Sequence, residues 1–127
     1  MQISSKFLIS LLILSFLSPQ PSHSDYERLQ DLIVSYAPTA LAFTDDADYL
    51  AIGGQTGVLE IYQIQNETFS NHSVLTNDSS LGQYLWTKFS SDGIWLVACT
   101  NVGTIKVFKK NQLTSDYEEN QEITATS

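Results

Sequence analysis

This chain repeats itself once. Residues 43–62 read FTDDADYLAIGGQTGVLEIY, and residues 89–108 read FSSDGIWLVACTNVGTIKVF. Phe43 aligns with Phe89, Asp46 with Asp92, Leu50 with Leu96, Gly57 with Gly103 and Tyr62 with Phe108, each pair 46 residues apart and without a gap. A fixed period of this size is the mark of a repeat architecture. A repeat unit cannot bury its apolar face alone, so two units also imply neighbours.

Each copy reads as three strands and two turns. Leu41–Phe43 and Trp86–Phe89 open the copies. Asp45-Asp46-Ala47-Asp48 and Ser91-Asp92-Gly93 are turn chemistry, because Asp bonds to its own backbone and Gly accepts positive φ. Tyr49–Ile52 and Trp95–Cys99 are short apolar runs bounded by turns, which fits buried strands better than helices. After Gly57 and Gly103, the segments Leu59–Tyr62 and Ile105–Phe108 alternate a charge between aliphatics, as strands do.

The pattern resembles the WD-repeat family of β-propellers. The matching positions are Phe43, Asp46, Gly57 and Tyr62 in the first copy, and Phe89, Asp92, Gly93, Gly103 and Phe108 in the second. The resemblance covers about residues 40–63 and 86–109. Where the family often has Trp-Asp, this chain has Tyr62-Gln63 and Phe108-Lys109. The resemblance implies an all-β chain of two four-stranded antiparallel blades, an incomplete propeller. Its expected boundaries are a leader at 1–24, blades at 25–64 and 65–110, and a polar tail at 111–127. The tail also resembles residues 24–33, so a third unit is expected to begin at Ser115. Closure takes roughly 4–8 blades. Two blades are therefore expected to belong to a longer protein or, if the chain is complete, to a homo-oligomeric ring.

The N-terminus reads as a secretory leader. It has Lys6, an apolar run over Phe7–Leu17, and small residues at Ser22 and Ser24 before an expected cut. The run is shorter than the roughly 20 residues of a membrane span. Secretion or residence in the secretory lumen follows as the expectation, with no membrane association after cleavage. Three sequons, at Asn66, Asn71 and Asn77, lie in what reads as one polar loop and are expected to be glycosylated. The net charge is −8, from 14 acidic and 6 basic residues. Such a surface repels phosphate, which argues against nucleic-acid partners. Cys99, the single cysteine, has no intramolecular partner and reads as a small buried hydrophobe in its strand.

The chemistry-bearing residues do not form a recognisable set. Asp45-Asp46-x-Asp48 could hold a cation, but Ser91 and Ile94 replace Asp45 and Asp48 in the second copy, so we read a capped turn. His72 stands alone in the polar loop. Gly53-Gly54-Gln55-Thr56-Gly57 has no Lys after it and reads as a hairpin turn. Tyr49, Trp95, Tyr62 and Phe108 could stack on a sugar, but as repeat positions they read as core between blades. No catalytic, metal or cofactor site is expected. The function expected is a non-catalytic interaction scaffold for a protein or glycan partner. The alternative is a fragment of a secreted propeller enzyme, a hydrolase or dehydrogenase, whose active site lies in other blades.

Overall fold

The computed structural model describes residues 7–14 and 26–125. Its strands are β1 (Phe7–Leu14), β2 (Tyr26–Val34), β3 (Pro38–Phe43), β4 (Tyr49–Gly54), β5 (Val58–Gln65), β6 (Thr68–Asn77), β7 (Tyr84–Phe89), β8 (Trp95–Thr100), β9 (Thr104–Lys110) and β10 (Tyr117–Thr124). A 3₁₀ turn at Ser79–Leu81 is the one helical element among the described residues. β3-β4-β5-β6 form one four-stranded antiparallel sheet and β7-β8-β9-β10 a second; β1 pairs with β2. The described residues are all-β, and the two four-stranded sheets pack face to face.

The repeated turns are built alike. Asp46 Oδ1 accepts from Thr44 Oγ1 at 2.7 Å and from the Asp48 N–H at 3.0 Å. Asp92 Oδ1 accepts from Ser90 Oγ at 2.5 Å and from the Ile94 N–H at 3.0 Å. In each turn the Thr44 or Ser90 hydroxyl oxygen also takes the N–H of the next strand's first residue, Tyr49 or Trp95. These local bonds fix the connection between first and second strand before any packing is needed.

The fourth strands differ from expectation. Residues 66–79, read as a loop, hold β6. It returns from β5 through Asn66 and Glu67, both at positive φ, the conformation a tight two-residue hairpin demands. The polar tail, read as the opening of a third unit, holds β10, the fourth strand of the second sheet. The sheets therefore run from Pro38 to Asn77 and from Tyr84 to Thr124, later than the expected boundaries. Both fourth strands lie at sheet edges, where one face and one ladder suffice. Polar, charged residues are favoured there because they deter further pairing. Lys106 secures β10: its ammonium lies 3.0 Å from Glu119 and 2.6 Å from Glu122. Of the expected leader, Phe7–Leu14 pairs with β2. Its remainder and the expected cut after Ser24 lie outside the described residues.

Packing follows the repeat. Ala40, Tyr49, Ala51, Leu59 and Ile61 of the first sheet meet Tyr84, Phe89, Leu96, Ala98 and Phe108 of the second. On the other side of the first sheet, Leu50, Ile52, Val58 and Phe69 are covered by Leu32, Val34 and Tyr36 from β2 and the residues after it. The Gln30 side chain on β2 bonds both backbone groups of Phe69, accepting from its N–H at 2.9 Å and donating to its C=O at 3.3 Å. Two glycines let rings approach: a Cβ on Gly53 would stand 2.8 Å from Tyr84, and one on Gly54 2.2 Å from the Tyr36 ring.

Candidate functional site

Each strand offers alternate residues to opposite faces, so the repeat assigns equivalent residues to equivalent faces. In the second sheet, cross-strand partners place Trp86, Lys88, Trp95, Val97, Cys99, Ile105, Val107 and Lys109 on one face. Their counterparts in the first sheet include Ala40, Tyr49, Ala51, Leu59 and Ile61, the residues buried against the second sheet. The second sheet's version of that face has no described sheet over it. Ala40 is 8% exposed, and Trp86, its counterpart, is 49% exposed.

This open face has its own chemistry. An open groove of about 530 Å³ runs along it, lined by Trp86, Trp95, Val97 and Lys88, with Asp45 and Ser91 at its rim. The Lys109 ammonium sits over the Trp95 ring, 5.2 Å from its centroid, a cation–π contact. Both tryptophans of the chain are on this face. Cys99, expected to be buried, is half-buried on it. Such a surface can take up an apolar or aromatic partner that carries negative charge.

The other predicted residues fall into three groups. Asp46, Asp92 and Gly93 build the first turns, and Gly57 and Gly103 the later ones. Phe89 and Phe108 are buried between the sheets. Phe43 and Tyr62 lie on the equivalent face of the first sheet, which points away from the second: Phe43 is 45% exposed and Tyr62 packs beside Leu50 and Ile52. Tyr49, Trp95, Tyr62 and Phe108 therefore lie on three different surfaces and make no common sugar-stacking platform. Asn66, Asn71 and Asn77 are all exposed, at the tip of the β5–β6 hairpin and along β6. The Asn71 amide donates to Glu60 Oε2 at 3.1 Å.

His72 is not alone, as its sequence context implied. It lies on β6 with Nε2 3.0 Å from Asp116 Oδ1, which precedes β10. That approach is close without the alignment of a hydrogen bond, so its attraction depends on a charged imidazole. The Tyr49 ring meets His72 edge-on with centroids 5.7 Å apart, and the Lys110 ammonium lies over the Tyr49 ring, 4.6 Å from its centroid. Tyr117 packs edge-on against both Tyr49 and Phe89, and its hydroxyl donates to the Gly93 carbonyl. Burial pushes the Tyr117 pKa upward, so its hydroxyl stays a donor. This group joins the rims of the two sheets. No sequence signal linked His72 to Asp116, since the link needs β6 and β10 side by side.

The carboxylates that do titrate abnormally are structural. Hydrogen bonds from Thr44, Ser80 and Ser90 hold Asp46, Asp78 and Asp92 below the ordinary carboxylate range. Among the described residues, no group of three or more His, Cys, Asp or Glu side chains is placed to hold a metal ion. No helix there is long and apolar enough to cross a membrane.

No family model and no curated protein matches the chain. Solved structures do. Sqt1 from Saccharomyces cerevisiae superposes with a TM-score of 0.63 at 13% identity, over 72% of this chain and 24% of that one. A protein of unknown function from Desulfotomaculum acetoxidans gives 0.62 at 21% identity, over 76% and 30%. A candidate 6-phosphogluconolactonase from Bacteroides uniformis gives 0.65 at 16% identity, over 91% and 34%. The chain matches about a quarter to a third of the length of these structures. At these identities the likeness is one of fold, and that fold is propeller-like.

Proposed function

We propose that this chain is a non-catalytic repeat scaffold, two WD-like blades of an incomplete β-propeller that bind a protein or glycan partner in the secretory pathway. One observation carries this reading: the face that the first sheet buries against the second recurs on the second, enlarged by Trp86 and left open. A stacking unit is expected to offer such a face. Secretion rests on the leader pattern and on three sequons whose asparagines are all exposed. Leader removal would take β1 away and leave β2 at the N-terminus, still held by Leu32, Val34 and Gln30.

The test is expression in a eukaryotic secretory host, followed by gel mobility before and after deglycosylation and N-terminal sequencing. Secreted material beginning at Asp25, with glycan removed by the treatment, supports the reading. Protein retained in the cytosol, unglycosylated and beginning at Met1, sinks its secretory part. The enzyme alternative draws on the lactonase-like neighbour, which spans 91% of this chain. Hydrolysis of a sugar lactone by a longer protein that contains these two blades, and not by the two blades alone, would replace the scaffold with an enzyme whose active site lies in other blades.

A further inference from the structure

We infer that the open face of the second sheet docks a second copy of this chain, head to tail, through that copy's exposed β3. The inference rests on the scaffold reading and names its partner.

The two surfaces match in position. Inside one molecule, the face carrying Ala40, Tyr49 and Ala51 packs on the face carrying Phe89, Leu96 and Phe108. The next contact in the same series joins Trp86, Trp95 and Val97 to the first-sheet counterparts of Phe89 and Thr87, which are Phe43 and Leu41. Those two side chains are available. β2 covers the face over β4, β5 and β6 but leaves β3 bare, with Leu41 47% and Phe43 45% exposed. Docking engages this inner half and leaves β2 in place.

The two surfaces also match in charge. Lys88 and Lys109 stand on the tryptophan face, where the buried first-sheet face has Ala42 and Gln63. β3 runs directly into the turn that carries Asp45, Asp46 and Asp48, all exposed. Asp46 is engaged in its turn and Asp45 lines the molecule's own tryptophan groove, which leaves Asp48 to face a second copy's lysines. An apolar strand ending in exposed carboxylates is what a tryptophan groove flanked by lysines selects. The contact is heterologous: each copy contributes one surface of each kind, and neither surface matches itself.

Sedimentation velocity of the full chain over a range of concentrations tests this. The expected result is concentration-dependent association, with a blue shift in tryptophan fluorescence because both tryptophans lie in the contact. Trp86→Glu and Leu41→Glu should each weaken association at least tenfold. An equimolar mixture of the two should form a 1:1 dimer and nothing larger, since each variant keeps the surface the other has lost. Lys88→Glu should weaken association more mildly, and mixing it with Asp48→Lys should restore it, which covers the case of a bulky variant that fails to fold. A chain monomeric at every concentration overturns the inference, as does association that survives both single variants or a mixture that stays monomeric. None of these outcomes bears on secretion or catalysis, so the scaffold reading stands or falls by its own test.

Discussion

Ala47 and Gly93 occupy one place in the repeat: both close the turn between first and second strand with left-handed backbone, at φ 62° and 74°. Only the second copy has the residue that adopts this conformation without strain. An alanine there costs about 1–2 kcal/mol, part of which glycine gives back through the entropy of its unfolded chain. Ala47→Gly should therefore stabilise the protein by about 0.5–1 kcal/mol, read as a higher urea midpoint with an unchanged slope. Gly93→Ala should lose about 1 kcal/mol, from the backbone alone, since its Cβ would meet Thr44 only at 3.9 Å.

The later glycines should respond unequally. A Cβ on Gly57 would stand 1.8 Å from the Asp78 carbonyl oxygen, whereas one on Gly103 would stand 3.1 Å from the Ala125 Cβ. Gly57→Ala should cost about 3 kcal/mol or more, because a backbone atom must move. Gly103→Ala should cost about 1–2 kcal/mol, mainly the left-handed strain, since the Ala125 side chain need give way by only a few tenths of an ångström. Equal losses in chemical denaturation would contradict the turn geometry.

Tyr84 is the largest fully buried side chain among the described residues, and it sits between the sheets. The Thr76 hydroxyl donates to the Gly57 carbonyl at 2.8 Å and accepts from the Tyr84 hydroxyl at 2.9 Å. Tyr84→Phe removes one hydrogen bond and should cost about 1 kcal/mol. Tyr84→Ala opens a cavity and should cost about 3–5 kcal/mol. Thermal melts of the two variants separate the hydroxyl from the ring; similar losses would place the ring outside the interface.

Acid should destabilise the chain through its turns. Asp46, Asp78 and Asp92 have lowered pKa values because the folded state donates hydrogen bonds to their carboxylates, chiefly from Thr44, Ser80 and Ser90. A group lowered on folding binds its proton more readily unfolded, so it stabilises the fold above the unfolded pKa of about 3.9. That stability is lost as pH falls through the lower folded value. The melting temperature should change little through these groups between pH 7 and about 5, then fall below about 4. Asp46→Ala should flatten part of the acid limb; an unaltered limb would refute the assignment.

Much of this fold was legible in residue order. The alternation in β5 and β9, the apolar runs of β4 and β8, and the Asp turns before them are local properties. Side-chain parity and short-range hydrogen bonds fix them whatever surrounds them. β6 and β10 were not legible. They are polar edge strands held by a neighbour's ladder, and Asn66-Glu67 lacks the glycine that usually announces so tight a hairpin.

Phe43 and Phe89 show where local information ends. The sequence by itself determined that they are equivalent, each the last residue of a first strand and on the same face of its sheet. Tertiary structure decided that Phe89 is buried against the first sheet while Phe43 stays open, 6% against 45% exposed. The same holds for Ala40 and Trp86, and for His72 meeting Asp116. Which face a strand presents is settled by its own alternation, but what covers that face depends on whether another sheet stands beside it. That depends on residues far away along the chain or on another molecule.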